Sequence, residues 1–172
     1  EIFKQKNIEV LLLSDRVDEW LVANFGEFEE LSLKSIAKGD LDDLDSKEDK
    51  KKKEKTVKDY EKVISKAQEI LDNQVKEVKV SSRLSESPSC LVADENELGG
   101  NMERIMKSLG QDVPETKPIL EINPSHPLVM KLKTKVDDDI VKVLFDQAVL
   151  SEGGQIKEPA EFVKRMNKLM LG

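Results

Sequence analysis

Between residues 57 and 71, Val57, Tyr60, Val63, Ile64, Ala67, Ile70 and Leu71 recur every three or four positions. That is the period of one helical face, so a long helix is expected there. A second run, Ile140, Val141, Val143, Leu144, Phe145, Ala148, Val149 and Leu150, is apolar over a face wider than one packing partner requires. Asp137, Asp138 and Asp139 precede it and suit the positive end of a helix dipole. Gly153 and Gly154 break the chain, and Pro159 sits where a first helical residue belongs. Phe162, Val163, Met166, Leu169 and Met170 then repeat as i, i+1, i+4, i+7 and i+8, a second C-terminal helix. A shorter stripe, Leu98, Met102, Ile105, Met106 and Leu109, also falls on one helical face. Two more helices are expected. Asp15 caps one that carries Val17, Trp20, Leu21 and Asn24 and ends near Gly26. The other spans about 124–134, with Asn123 as cap and Pro124 in its first turn.

Short apolar or alternating runs lie between these periodic stretches. Residues 8–13, I-E-V-L-L-L, suit a buried strand, and L-S-L-K-S-I-A at 31–37 is a weaker strand candidate. K-E-V-K-V-S leads from Val75 through Val78 and Val80. S-C-L-V-A follows Pro88, which has no N–H for a ladder, and P-I-L-E-I at 118–122 gives the last strand. The expected class is α+β: a small strand–helix–strand unit, then a three-stranded sheet with helices, then a helical pair. From Asp40 to Lys55, 13 of 16 residues are charged. Such a stretch has little to bury and reads as a solvated linker or a mobile helix entry. It divides the chain into residues 1–54 and 55–172.

The stripe at 98–109 differs from the others in chemistry. Gly99 and Gly100 open it, and each glycine costs roughly 1 kcal/mol against alanine inside a helix. Methionine side chains fit many shapes. A Met-rich, weakly held amphipathic helix suits gripping other proteins better than filling a core. The wide faces at 140–150 and 159–170 likewise exceed what a small domain buries, and leftover apolar faces find partners.

Composition narrows the chemistry. Net charge is −7 and the pI about 5.0, against a nucleic-acid binder, which needs a basic surface to neutralise phosphates. Lys50 to Lys53 form a basic run, but flanking acids cancel it. Aromatics make up only 4%, so aliphatics and Met must supply the core. The single cysteine, Cys90, excludes an intramolecular disulfide and fits a reducing compartment. No apolar run approaches the roughly 18 residues of a membrane span. Cys90 and the single histidine, His126, could form a nucleophile–base pair only with each other, and no third group is placed to orient the base. Asp94, Glu95 and Glu97 cluster, as do Asp40, Asp42, Asp43 and Asp45; both read as solvated turns, and the second lacks the glycine and terminal glutamate of a calcium loop. No nucleotide-binding glycine pattern occurs. Trp20 is the one tryptophan, equally suited to a core or to a binding hot spot.

Three stretches together resemble a known family. S-S-R-L-S-E-S-P-S-C-L-V-A-D-E with N-E-L-G-G-N-M-E-R-I-M-K-S-L at 81–109, and I-L-E-I-N-P-S-H-P-L-V at 119–129, are similar to the carboxy-terminal domain of the ninety-kilodalton heat-shock chaperones in their bacterial form. E-V-L-L-L-S-D-R-V-D-E-W at 9–20 resembles the end of that family's middle domain. The resemblance implies that residues 1–54 close the middle domain and 55–172 are the dimerisation domain. It implies a client-binding surface at Trp20, Leu98, Met102, Ile105, Met106 and Leu109, facing the cleft of a homodimer. It also implies that the last two helices of each copy form a four-helix bundle, through Ile140, Val141, Leu144, Phe145, Ala148, Val149, Phe162, Met166, Leu169 and Met170. Partners would be a second copy and partly folded clients, with no nucleic acid and no membrane. No cofactor is expected in this piece: ATP and magnesium belong to the family's amino-terminal domain. The chain opens on Glu1, as expected of a piece of a longer protein. It closes on R-M-N-K-L-M-L-G, without the M-E-E-V-D tail of cytosolic eukaryotic members, so a bacterial cytoplasm, or an organelle, is the expected setting. The rival reading is a dimeric scaffold that binds one fixed partner through the Met stripe.

Overall fold

The computed structural model describes residues 2–15, 17–41, 44–94, 97, 100–112 and 116–171. Its centre is a three-stranded sheet of β3 (Glu77–Val80), β4 (Ser89–Val92) and β5 (Ile119–Ile122), in the order β3-β5-β4. β5 runs parallel to β3 and antiparallel to β4. All four β5 residues are buried, as a central strand covered on both faces should be. One face, carrying Val78, Val80, Leu120 and Ile122, joins a core with Tyr60, Val63, Ala67 and Leu71. These four lie on α3 (Lys47–Leu71). Val129 and Leu132 come to the same core from α5 (Pro127–Thr134), and Val141, Leu144 and Ala148 from α6 (Asp138–Ser151). The fold is thus α+β, with the sheet and its helices where the periodicity puts them.

Ser89, Asn123 and Tyr60 each find partners for the polar groups they bring to this core. Ser89 donates from Oγ to the Leu144 carbonyl at 2.7 Å. The Asn123 amide donates to the carbonyls of Ser85 and Ser87 at 3.1 and 3.0 Å, which pins the crossing between β3 and β4. Tyr60 donates its hydroxyl to the Pro124 carbonyl at 2.8 Å, and the Lys133 ammonium stands 4.8 Å from the same ring's centre.

Two helix starts differ from expectation. α3 begins at Lys47, inside the charged stretch, because Ser46 and Asp49 form a capping box: each side chain takes the other's backbone N–H. Of the two readings of this stretch, Lys47–Lys55 is the helix entry rather than a solvated linker, and the division expected at 54/55 falls within α3. α5 begins at Pro127, not Pro124. His126 is its cap, its Nδ1 accepting from the Leu128 N–H at 3.2 Å, while Asn123 Oδ1 accepts from Ser125 in the turn before.

The front of the chain departs furthest. α1 (Ile2–Gln5) is followed by an extended stretch; residues 8–13 form no strand, and Leu12 is 90% exposed. A strand exists only where its N–H and C=O groups meet a neighbour's, and no described strand lies beside this run. α2 (Asp18–Asn24) begins after Val17, with Asp15 and Asp18 each accepting a backbone N–H at its start. The strand expected at 31–37 shrinks to a hairpin of β1 (Glu27–Phe28) and β2 (Leu31–Ser32). Its turn residues, Glu29 and Glu30, hold φ of 47° and 66°, a conformation disfavoured for glutamate. Leu31 is exposed.

Candidate interaction surfaces

The Met-rich stripe lies on α4 (Gly100–Ser108). Met102, Ile105 and Met106 are half-buried, and Leu109, one residue past the helix, is 69% exposed. Leu98 lies outside the described residues. None of the described α4 side chains belongs to the core or to the apolar residues packed against it. Polar contacts hold the helix instead. Glu103 pairs with Lys107 one turn on at 2.6 Å and accepts from the Thr116 hydroxyl at 3.3 Å. Arg104 donates to the carbonyl of Gly153 at 2.6 Å, which ties α4 to the turn after α6. That turn demands glycine: Gly153 has φ +70°, and a Cβ at Gly154 would stand 2.8 Å from Val149 Cγ1 and 2.9 Å from its carbonyl oxygen.

α6 owes its start to Asp137, whose carboxylate accepts the N–H groups of Asp139 and Ile140. Val141, Leu144 and Ala148, expected at an interface between copies, are 1% exposed in the protein's own core. They are withdrawn from that surface, because they already cover the sheet. Ile140 and Phe145 are half-buried against the same core. α7 (Pro159–Leu171) packs along α6 but has no fully buried residue. Phe162, Met166 and Leu169 are half-buried, as is Val149 on α6, and Met170 is 70% exposed. Charges fix the pairing of α6 and α7. Arg165 reaches Asp146 at 3.4 Å, and Lys168 donates to Asp139 at 2.5 Å. The hydrogen bond from Lys168 holds the Asp139 carboxyl below its ordinary range, while burial raises that of Asp146 against the pull of Arg165.

The remaining candidates part company. Cys90 and His126 make no pair that activates a thiol: His126 caps α5, and burial pushes the Cys90 thiol from 9.0 up to about 12, with nearby Glu121 adding to the rise. A thiol so held is a poor nucleophile at neutral pH. Asp94 is engaged by the Lys76 ammonium, and Asp45 by that of Lys6; Asp42, Asp43 and Glu95 lie outside the described residues. A cleft beside Ser89, His126, Gln147 and Ser151 has no lysine or arginine among its lining residues. Trp20 lies on α2, its side chain outside what is described. Periodicity missed one buried constellation, the ion pair of Arg83 with Glu121 at 2.8 Å. Its signal was present: a glutamate inside the apolar run I-L-E-I must be paired if it is buried.

A family model described as Hsp90 protein matches residues 1–172. The chain is similar to the Chaperone protein HtpG of Ruthia magnifica subsp. Calyptogena magnifica, 78% identical over 170 residues that make up 99% of this chain and 28% of that protein. It is 53% identical to the Chaperone protein HtpG of Nitrosomonas europaea over 175 residues, 99% of this chain and 27% of that one. With the Chaperone protein HtpG of Colwellia psychrerythraea it shares 49% over 177 residues, in the same proportions of 99% and 27%. The chain thus spans about 28% of the length of the curated relatives it matches.

Proposed function

The chain belongs to the Hsp90 family, and from that premise we propose that it is the homodimerisation and client-binding region of an ATP-driven chaperone. The observation that carries the reading is α7, an amphipathic helix of 13 residues with none fully buried. An apolar face of this kind, beside the half-buried edge of α6, suits a second copy, since a two-fold interface joins like surface to like. Four helices would meet there, two from each copy. Met102, Ile105, Met106 and Leu109, with Leu98 and Trp20, would hold partly folded clients, because Met-rich surfaces repack around many shapes. The upstream part of the chain closes a middle domain, and the three-stranded sheet with its helices forms the dimerisation domain. ATP, magnesium and the hydrolytic residues lie in parts of the longer protein beyond this chain. Dimerisation keeps two arms at high effective concentration, so that their opening and closing can rework the client surface. The setting is a bacterial cytoplasm; among the described residues no helix is long and apolar enough to cross a membrane.

Sedimentation across concentration tests this. The wild-type chain is expected to be a dimer at micromolar concentration. Val163→Asp with Met170→Asp should give a folded monomer, since both side chains are more than half exposed. A wild-type chain that sediments as a monomer refutes the reading. Suppression of aggregation of several unrelated unfolded proteins separates a chaperone from a scaffold with one partner.

A further inference from the structure

The sheet's second face is buried by something other than the core. The register ranks Glu77, Ile119 and Val92 across the three strands, and Lys79, Glu121 and Cys90 in the next row. Side chains alternate between faces along a strand, so these point away from Leu120 and Ile122. Yet Ile119, Val92 and Glu121 are all buried. Residues 36–41 run along this side. The Gly39 N–H donates to the Ala93 carbonyl at 2.9 Å, and the Ala93 N–H to the Ala37 carbonyl at 3.3 Å, so Lys38 pairs with Ala93 as a short parallel bridge. Asp40 stands 3.8 Å from Lys79 on β3 and 3.4 Å from Lys53 on α3. Gly39 and Asp40 share a narrow cleft with Glu77, Lys79, Ile119 and Glu121. Leu41 is buried at the end of the segment.

Arg83 fastens it. Its Nε and Nη2 donate to the two carboxylate oxygens of Glu121 at 2.9 and 2.8 Å. Its Nη1 donates to the Ile36 carbonyl at 2.5 Å and its Nη2 to the Gly39 carbonyl at 2.7 Å. Ser81 completes the carboxylate's shell, donating from Oγ at 2.7 Å. The two charged side chains are 7% and 8% exposed. A buried ion pair is tolerated only when its remaining donors and acceptors are met. Here the fork satisfies the carboxylate with one edge and two carbonyls of a distant segment with the rest.

We propose that residues 36–41 are a strap sealing the outer face of the sheet, and that Arg83 is the positioning residue that pins it. The C-terminal unit then begins near residue 36, not at 55. The upstream chain is coupled to the sheet directly rather than through a free linker. Seated, the strap satisfies the guanidinium; released, it would uncover the ion pair and Ile119, and an element that switched between the two would carry a movement from one domain to the next. The inference rests on this geometry and not on the chaperone reading.

Amide hydrogen exchange on the whole chain tests it with Arg83→Lys, which keeps a charge beside Glu121 but lacks the fork that reaches both carbonyls. The Gly39 and Ala93 amides should exchange roughly tenfold faster or more, a change of about 1.4 kcal/mol in local opening. Amides bonded between β3 and β5 should stay within about twofold of wild type, the spread expected of sites that remain closed. Unchanged protection at Gly39 and Ala93 overturns the pin, and uniform acceleration throughout the sheet makes Arg83 an ordinary core residue. If Arg83→Lys does not fold, Arg83→Met with Glu121→Met replaces the pair with apolar side chains. Faster exchange confined to Gly39 and Ala93 in that variant supports the strap, and retained protection there sinks it.

Discussion

Helices α4 and α6 both carry apolar residues at helical period and end in different surroundings. α6 delivers Val141, Leu144 and Ala148 into the core, while the described side chains of α4 stay outside it. Three physical differences separate them. α6 has a side-chain cap that takes two N–H groups, and α4 opens on glycine. The apolar residues of α6 cover enough of its circumference to meet the sheet on one side and α7 on another, whereas α4 has a single stripe. The α6 residues in the core, Val141, Leu144 and Ala148, have few or no side-chain rotamers to lose, while two of the three described stripe residues on α4, Met102 and Met106, are methionines, whose flexibility costs more entropy to order. Spacing identifies a helix and its apolar face; breadth, capping and side-chain stiffness decide whether that face is spent inside the fold or left for a partner.

The largest test of this contrast is Leu144→Ala. Leu144 is 1% exposed in the core, so its truncation should cost about 2–5 kcal/mol, the range for buried leucines. Urea unfolding measures it. A cost below about 1 kcal/mol, the level of a surface change, would put the face of α6 at an interface and not in the core.

The next test uses Cys90, on the strand against which α6 packs. Its thiol is raised from 9.0 to about 12 by burial, so the folded state holds this proton more tightly than the unfolded state does. The contribution to stability is fully present below about pH 9 and is lost as pH rises toward 12. Between pH 8 and 10 the loss should be about 1 kcal/mol by linkage. Denaturant melts of wild type and Cys90→Ser at both pH values isolate it. Equal losses in the two proteins would mean that Cys90 is as solvated as in the unfolded chain.

A comparable effect is expected at the cap. Asp137→Ala should cost about 1 kcal/mol, since the carboxylate satisfies two N–H groups at the start of α6. Asp137→Asn should restore most of that. If both variants match wild type in thermal unfolding, capping does not distinguish α6 from α4.

Much of this was legible in the chain, for reasons that particular residues make plain. Three- and four-residue spacing marked α3, α6 and α7, and the runs at Val78, Leu91 and Leu120 marked the three strands. What stayed hidden depended on partners far away in sequence. I-E-V-L-L-L at 8–13 is as apolar as I-L-E-I, yet only the second has neighbours on both sides. The fold of Val141 and Leu144 into their own core could not be told from an interface, because both surroundings are apolar. S-K-E-D at 46–49 is a capping signal concealed by its charged company. Arg83 gave no local sign, since these partners are 38 to 47 positions away.

The smallest expected change in stability carries the most functional weight. Met102, Ile105 and Met106 are half-buried on α4 and absent from the core. Changing all three to Ser should alter the unfolding free energy by no more than about 0.5 kcal/mol, as surface substitutions do. The proposed dimerisation should be untouched, because the face proposed for it lies on α7. Binding should not be: each side chain buried on a client could contribute roughly 1.5–3 kcal/mol if burial were complete, so three losses should weaken suppression of client aggregation well beyond tenfold in the effective concentration, since 1.4 kcal/mol is one decade. Arg104→Ala is the companion variant. It removes the tether to the Gly153 carbonyl without touching the stripe, and should weaken client suppression less than the triple change. A triple variant that loses several kcal/mol of stability would place α4 in the core beside α6. One that keeps both its stability and its client binding would leave the stripe without a role.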